Sequence, residues 1–232
     1  MTPAHATTPG GDATSGRGTS PGVVLPGSGP AAPSAPLDAG SFDASPLDEL
    51  LAARAAALGG GRLVCVDGPA GSGKTTLASL LEGRWGATVV HMDDLYAGWE
   101  GRDLGVRQLL DGVLAPLSRA RPGRYERYDW YAGRFAGTHV VEPCPVLVVE
   151  GCGSATREVD RYDALVVWVE APDDVRLRRG LERDGAGMRD HWLQWMADEK
   201  DFYARERTRD RAQAHIDGTR GAVAPRHNEE DA

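Results

Sequence analysis

Lysine is nearly absent from this sequence. Among 26 basic residues only Lys74 and Lys200 are lysines, so arginine supplies almost all of the positive charge. Cysteine is scarce as well. Cys65, Cys144 and Cys152 are an odd, widely spaced set without a C-x-x-C pair, and no histidines or acids cluster around them at ligand spacing. That argues against a disulfide framework or a zinc site and for reduced thiols. No apolar run approaches membrane-spanning length, and the first residues lack the basic start and apolar stretch of a signal peptide. The expected location is cytoplasmic, with no membrane partner. The net charge of −8 has no basic stripe to offset it, so no nucleic-acid partner is expected.

Large apolar residues are missing from the opening stretch. Residues 1–45 are mostly Pro, Gly, Ser, Thr and Ala, and hold about half of the prolines, so this segment cannot bury a core and reads as a disordered tail. Residues 46–220 suffice for one α/β domain, and 221–232 read as a flexible C-terminal tail. Ser45-Pro46-Leu47-Asp48 carries the signals of a helix start, with Ser45 as N-cap and the helix running to the glycines at 59–61. Continuous apolar runs at 63–66, 88–91, 146–149 and 164–169, and a short one at 214–217, read as strands. Helical patterns fall at 74–82, 103–117, 173–183 and 188–207. Alternating buried strands and helices predict a three-layer α/β fold with a central parallel sheet.

Lys74 stands inside Gly68-Pro-Ala-Gly-Ser-Gly-Lys-Thr75, the G-x-x-x-x-G-K-T spacing of a P-loop, between a short strand and a helix opening. Such a turn aims backbone N–H groups and a helix dipole at phosphate, and a slim ammonium reaches the β- and γ-phosphates from it. The expected nucleotide-binding residues are Gly68, Ala70, Gly71, Ser72, Gly73, Lys74, Thr75 and Thr76, for a nucleoside triphosphate with magnesium. In a parallel sheet, ligands gather beyond the carboxyl ends of the strands. Two further strand ends carry acids: His91-Met92-Asp93-Asp94-Leu95-Tyr96 and Val149-Glu150-Gly151.

Together with Arg179-Gly-Leu-Glu-Arg183-Asp184, these segments resemble the ordered motifs of the uridine kinase and phosphoribulokinase group of P-loop kinases, over about residues 62–217. The resemblance implies a P-loop NTPase with a short helical lid. It also implies Asp93 as general base on the acceptor hydroxyl, Glu150 at the magnesium site, and Arg179 and Arg183 as lid arginines. Elementary chemistry agrees. A hydroxyl attacking a γ-phosphoryl group needs a proton acceptor, cations around the transferred oxygens, and exclusion of water. Asp93 can be the acceptor, Thr75 and Glu150 can hold magnesium, and Lys74 with lid arginines can spread the charge. Arg179 and Arg183, four apart, share a helix face, while Arg176 and Arg178 read as a solvated face paired with Asp173, Asp174 or Glu182. Gly180, Gly185 and Gly187 give the lid places to bend.

The stretch 124–135 interleaves aromatic and charged residues at no regular period, which suits an acceptor pocket as well as a surface hairpin. Arg127, Tyr128, Asp129 and Trp130, with Asp94 and Tyr96, are the candidate substrate contacts; Asp94 could equally cap its turn. On the helical pattern 188–207, Glu199 falls among Met188, Trp192, Trp195, Met196, Phe202 and Tyr203, so its charge needs a partner or a ligand. The expectation is an ATP- and Mg2+-dependent small-molecule kinase acting on a hydroxyl, with a nucleoside such as uridine as leading acceptor. A kinase for nucleoside monophosphates or another metabolite, or a P-loop ATPase or regulator, remains the alternative. Whether copies of the chain associate into a homo-oligomer stays open.

Overall fold

The computed structural model describes residues 44–220 and 222–224. The tail expected over 1–45 lies outside them except for its last two residues, as does the chain beyond 224. Helix α1 (Ser45–Ala52) precedes β1 (Arg62–Asp67), α2 (Lys74–Trp85) and β2 (Thr88–His91). A helical run comes next: α3 (Arg102–Arg107), a wide π-type turn (Gln108–Leu114) and α4 (Ala115–Leu117). Strands β3 (Gly123–Asp129) and β4 (Arg134–Val141) form a hairpin, and β5 (Val146–Glu150) and β6 (Leu165–Glu170) return to the sheet. Helices α5 (Asp173–Asp184), α6 (Arg189–Glu206) and α7 (Thr208–Arg211) lead to β7 (Ala214–Asp217) and β8 (Ala222–Ala224).

The main sheet has the order β2-β5-β1-β6-β7-β8, parallel except for β8. Alternation along β1 explains the layers. Leu63 and Cys65 face one core, with Leu109, Val113 and Leu114 of the helical run and Trp195 of α6. Val64 and Val66 face the other, with Leu47 and Leu51 of α1 and Leu77, Ala78 and Leu81 of α2. Because β1, β5 and β6 are covered on both faces, their sequences are nearly continuous apolar runs rich in valine, which makes these strands readable.

Three expectations need correction. Helix α1 ends at Ala52, short of the glycines, where Asp163 takes over: its carboxylate accepts from the Ala55 amide at 2.6 Å and pairs with Arg54 at 3.3 Å. Ser45 is already helical and Ala44 takes the cap position, so no serine cap forms; Asp48 of the first turn instead binds Arg84 and accepts from the Trp85 indole at 2.8 Å. Pairing of β8 with β7 carries the folded chain past residue 220.

The hairpin had no strand signal because seven of its eight β4 positions are exposed or half-exposed and carry no apolar alternation. It rests on the π-type turn. Gln108 donates to the Leu95 carbonyl at 3.0 Å and accepts from the Glu126 amide at 2.8 Å, and a Cβ on Gly112 would lie 2.4 Å from the Arg124 carbonyl oxygen. Among the described residues no helix is long and apolar enough to cross a membrane.

Candidate active site

The P-loop leaves β1 at Asp67. Gly68, Gly71 and Gly73 take φ values of 140°, 77° and 107°, and a Cβ on Gly68 or Gly71 would lie 2.0 Å from the Val169 oxygen or 2.7 Å from the Arg176 oxygen. Only glycine fits at both constraints. Helix α2 then starts at Lys74 with no side-chain cap, leaving the first-turn amides free for an anion. Lys74 is folded back over the loop, donating to the Pro69 carbonyl at 2.9 Å and to the Cys152 sulfur at 3.6 Å. Loss of water works against its charge, but Cys152 and the carboxylates of Glu150, Glu199 and Asp67 outweigh this and hold the ammonium above its ordinary pKa.

Asp67, which sequence reasoning passed over, is fully buried at the base of the loop. Its carboxylate accepts from the amides of Gly68 (2.7 Å), Gly153 (2.9 Å) and Ala155 (2.8 Å) and from the Tyr203 hydroxyl (2.8 Å). Burial raises its pKa despite these four bonds, which join the P-loop to the loop after β5. An acid just before the P-loop glycine was the available signal.

Parallel register sets His91 of β2 beside Glu150 of β5. Glu150 is buried, and its Oε1 lies 3.2 Å from the Thr75 hydroxyl, which donates to it, and 2.7 Å from His91 Nδ1. The bond to Glu150, above all, holds the His91 imidazole above its ordinary pKa, against partial loss of water. Asp93 sits in the 3-10 turn (Met92–Asp94) after β2 and is open to solvent on one side. Crowding by protein atoms on its other sides, then the Glu150 charge, raises its carboxyl above the ordinary value, while Arg183, Lys74 and His91 pull it down. With one side open to water, the repulsion by Glu150 is the firmer part of that shift.

The hairpin closes on the same turn. The Trp130 indole donates to the Asp93 carbonyl at 2.9 Å, and Arg127 Nε lies 3.2 Å from Asp94. Tyr128 packs edge-on against Trp130 and Phe135, while Trp99 meets the edges of Trp130, Trp192 and Trp195 and stacks on His191 at 5.8 Å. Of the expected substrate residues, Arg127, Tyr128, Trp130 and Asp94 thus stand at one wall beside Asp93. Two others are bonded to backbone groups. Tyr96 is 1% exposed, its hydroxyl bonded to the Cys152 carbonyl and its ring 5.8 Å from Trp195, so it is core. Asp129 caps the hairpin turn, accepting from the amides of Tyr131 and Ala132 at 2.9 Å each.

The lid helices also differ from expectation. Arg179 does not reach the reaction side: it donates to the carbonyls of Gly71 (3.2 Å) and Gly218 (3.1 Å), bracing the P-loop against the turn after β7. Arg183 keeps its side chain 43% exposed, binds Asp184 at 2.7 Å, lies over Trp192, and its charge is felt by Asp93 and Glu150. Arg178 pairs with Glu182 at 3.9 Å on the solvated face, as expected. Arg176 fits only in part: it pairs with exposed Asp173 at 2.8 Å, but it is buried and tied to Glu199 as well, because a spacing of three from Arg179 also shares a helix face. Gly180 is no hinge, since a Cβ there would lie 2.3 Å from the Trp192 ring, so it serves close packing of α5 on α6. Ala70 is withdrawn from the phosphate donors, its amide bonded to Glu199 at 2.8 Å.

Uncapped helix amides, a lysine, two carboxylates and an arginine therefore meet beyond the carboxyl ends of β1, β2 and β5. A protein from Bacillus stearothermophilus described as a possible uridine kinase superposes with a TM-score of 0.54 at 21% identity, over 73% of this chain and 94% of that one. This is the P-loop kinase fold. A shikimate kinase from Bacteroides thetaiotaomicron aligns with a TM-score of 0.42 at 16% identity, over 68% of this chain and 86% of that one. No family model matches the chain, and no curated protein matches it in sequence. At these identities the likeness bears on architecture, and the chemistry rests on the residues above.

The cysteines give a test of how closed this site is. Burial pushes the Cys152 thiol up to about 12 and the Cys65 thiol well above its ordinary value, whereas Cys144 is partly exposed. In native protein at about pH 8, a chromogenic thiol reagent should label Cys144 and spare Cys65 and Cys152 until denaturant is added. Rapid labelling of Cys152 would show that the loop after β5 opens away from Lys74.

Proposed function

We propose that the chain is an ATP-dependent kinase that transfers the γ-phosphoryl group to a hydroxyl of a small molecule, with a nucleoside such as uridine as the leading acceptor. One observation carries this reading: Asp93, a carboxylate open to solvent, lies within the electrostatic reach of Lys74, Glu150 and Arg183. A site for hydrolysis or switching needs the phosphate cations. It does not need a solvent-facing carboxylate, held above its ordinary pKa, on the turn after β2.

In the proposed reaction the acceptor hydroxyl gives its proton to Asp93 as its oxygen bonds to the γ-phosphorus. The bond from that phosphorus to the β–γ bridging oxygen breaks, and ADP leaves. The free amides at the start of α2 and the Lys74 ammonium hold the phosphates, and Arg183 offsets charge that grows on the transferred oxygens. A hydroxyl and a carboxylate 3.2 Å apart, Thr75 and Glu150, are the hard oxygen donors that suit a largely hydrated magnesium ion. Bound there, the ion would neutralise β- and γ-phosphate oxygens. Trp130 and Tyr128 offer faces for a ring, and the Arg127–Asp94 pair offers polar contacts to hydroxyls. The need for ATP and a small soluble acceptor favours the cytoplasm as the place of work.

ATP consumption with and without a panel of nucleosides, nucleoside monophosphates and other metabolite alcohols tests the proposal. Acceptor-dependent formation of ADP and a phosphorylated alcohol supports it. Hydrolysis indifferent to every acceptor would favour an ATPase or regulator.

A further inference from the structure

Arg176 and Glu199 are the most deeply buried ion pair among the described residues, with side chains 6% and 2% exposed. Neither has a place in the reaction above. What they hold is one residue of the P-loop. Glu199 Oε2 accepts from the Ala70 amide at 2.8 Å, and Arg176 Nη1 donates to the Ala70 carbonyl at 3.0 Å. The same nitrogen binds Glu199 Oε1, and Nη2 binds the exposed Asp173 at 2.8 Å. Glu199 Oε2 also lies 3.7 Å from the Cys152 sulfur, whose other neighbours are Lys74 and the Gly68 carbonyl. Next to this node the first turn of α5 presses on Gly71, and Arg179 holds the Gly71 carbonyl.

We propose that Arg176 and Glu199 are positioning residues that latch the lid helices α5 and α6 to the P-loop through both polar groups of Ala70. The proposal rests on the kinase reading for its purpose and on geometry alone for its mechanism. Arg183 stands seven residues beyond Arg176, about two helical turns, so the latched helix also fixes where the reaction-side arginine stands. The P-loop's shape and the lid's position become a single variable. Without the latch, the loop over residues 68–73 would keep its glycines and lose its outer support, and the phosphate amides would no longer be preorganised.

Two variants separate a latch from ordinary core packing. Glu199→Gln keeps size and an oxygen for Ala70 but removes the charge that holds Arg176. The double variant Arg176→Met/Glu199→Leu replaces the pair with apolar volume, a change that can restore or raise stability where a buried ion pair is lost. We expect both to show about tenfold faster amide exchange over residues 66–73, with exchange inside α6 unchanged. We also expect about tenfold weaker binding of Mg-ATP by calorimetry without acceptor, while the double variant regains the parent's melting temperature. Parental exchange and affinity in both variants, or recovery of both by the double variant, would overturn the latch. Because amide exchange needs no substrate, a parent protein that transfers phosphate to no acceptor would defeat the kinase reading and leave the latch tested on its own.

Discussion

Lys74→Ala should lose phosphoryl transfer by about a thousandfold or more while the protein stays folded. The ammonium is the sole cation that the P-loop itself supplies, and it is held charged amid Glu150, Glu199 and Asp67. Its removal leaves those carboxylates facing the incoming phosphates without compensation. The structural loss is smaller: one hydrogen bond to the Pro69 carbonyl and one weak contact to Cys152, about 1–2 kcal/mol against a typical domain stability of about 5–15 kcal/mol. A melting curve close to the parent together with near-zero turnover is the expected pair of results. Turnover within tenfold of the parent would remove Lys74 from the chemistry.

Asp93→Asn should lower kcat by roughly 10²–10⁴ and change nucleotide affinity far less, because Lys74, Thr75 and the free amides of α2 remain. Two further signatures arise from its raised pKa. The basic form exists only above that value, so activity of the parent should fall on an acid limb lying above the ordinary carboxylate range, and the variant should lack this limb. The sign for stability is opposite to that of a salt-bridged acid. The fold favours protonated Asp93, so its ionisation costs stability fully above the folded pKa and not at all below the unfolded one. Asp93→Asn should therefore melt no lower than the parent at neutral pH. Asp94→Asn is the control: it loosens Arg127 and the hairpin wall, and should chiefly raise KM for the acceptor. If Asp94→Asn abolished transfer and Asp93→Asn did not, the base would be the neighbouring residue.

The parts of this site that could be read from the sequence are those whose chemistry demands contiguity. A P-loop needs its glycines, lysine and threonine within one turn, Glu150 ends an apolar strand, and Asp93 stands in the turn just after one. The parts that stayed hidden are joined across the chain. Trp130 reaches the Asp93 carbonyl over 37 residues, so the aperiodic stretch is readable as a pocket or a surface hairpin but not as a hairpin docked on that turn. Glu199 visibly needed a partner, but choosing Arg176 required knowing which face of α5 lies on the P-loop. Tyr96 shows the reverse error: a residue inside a functional motif can belong to the core, here by sealing the loop after β5 through the Cys152 carbonyl. Asp129 and Gly180 were assigned to substrate and hinge from residue type alone, and local backbone and packing claimed both.

The wide turn at Gln108–Leu114 sets the phase of the helical run on which the hairpin stands. Gln108 and Gly112 both meet β3, one through side-chain bonds and one through close backbone approach. Each residue added to or removed from a helix rotates the downstream chain by about 100°. Shortening this seven-residue turn by one would therefore swing one of the two supports away from the hairpin, and with it the Trp130 and Arg127 wall beside Asp93. Under the proposed kinase reading, acceptor choice would then be as sensitive to the length of this buried support as to the identity of the residues on the wall it carries.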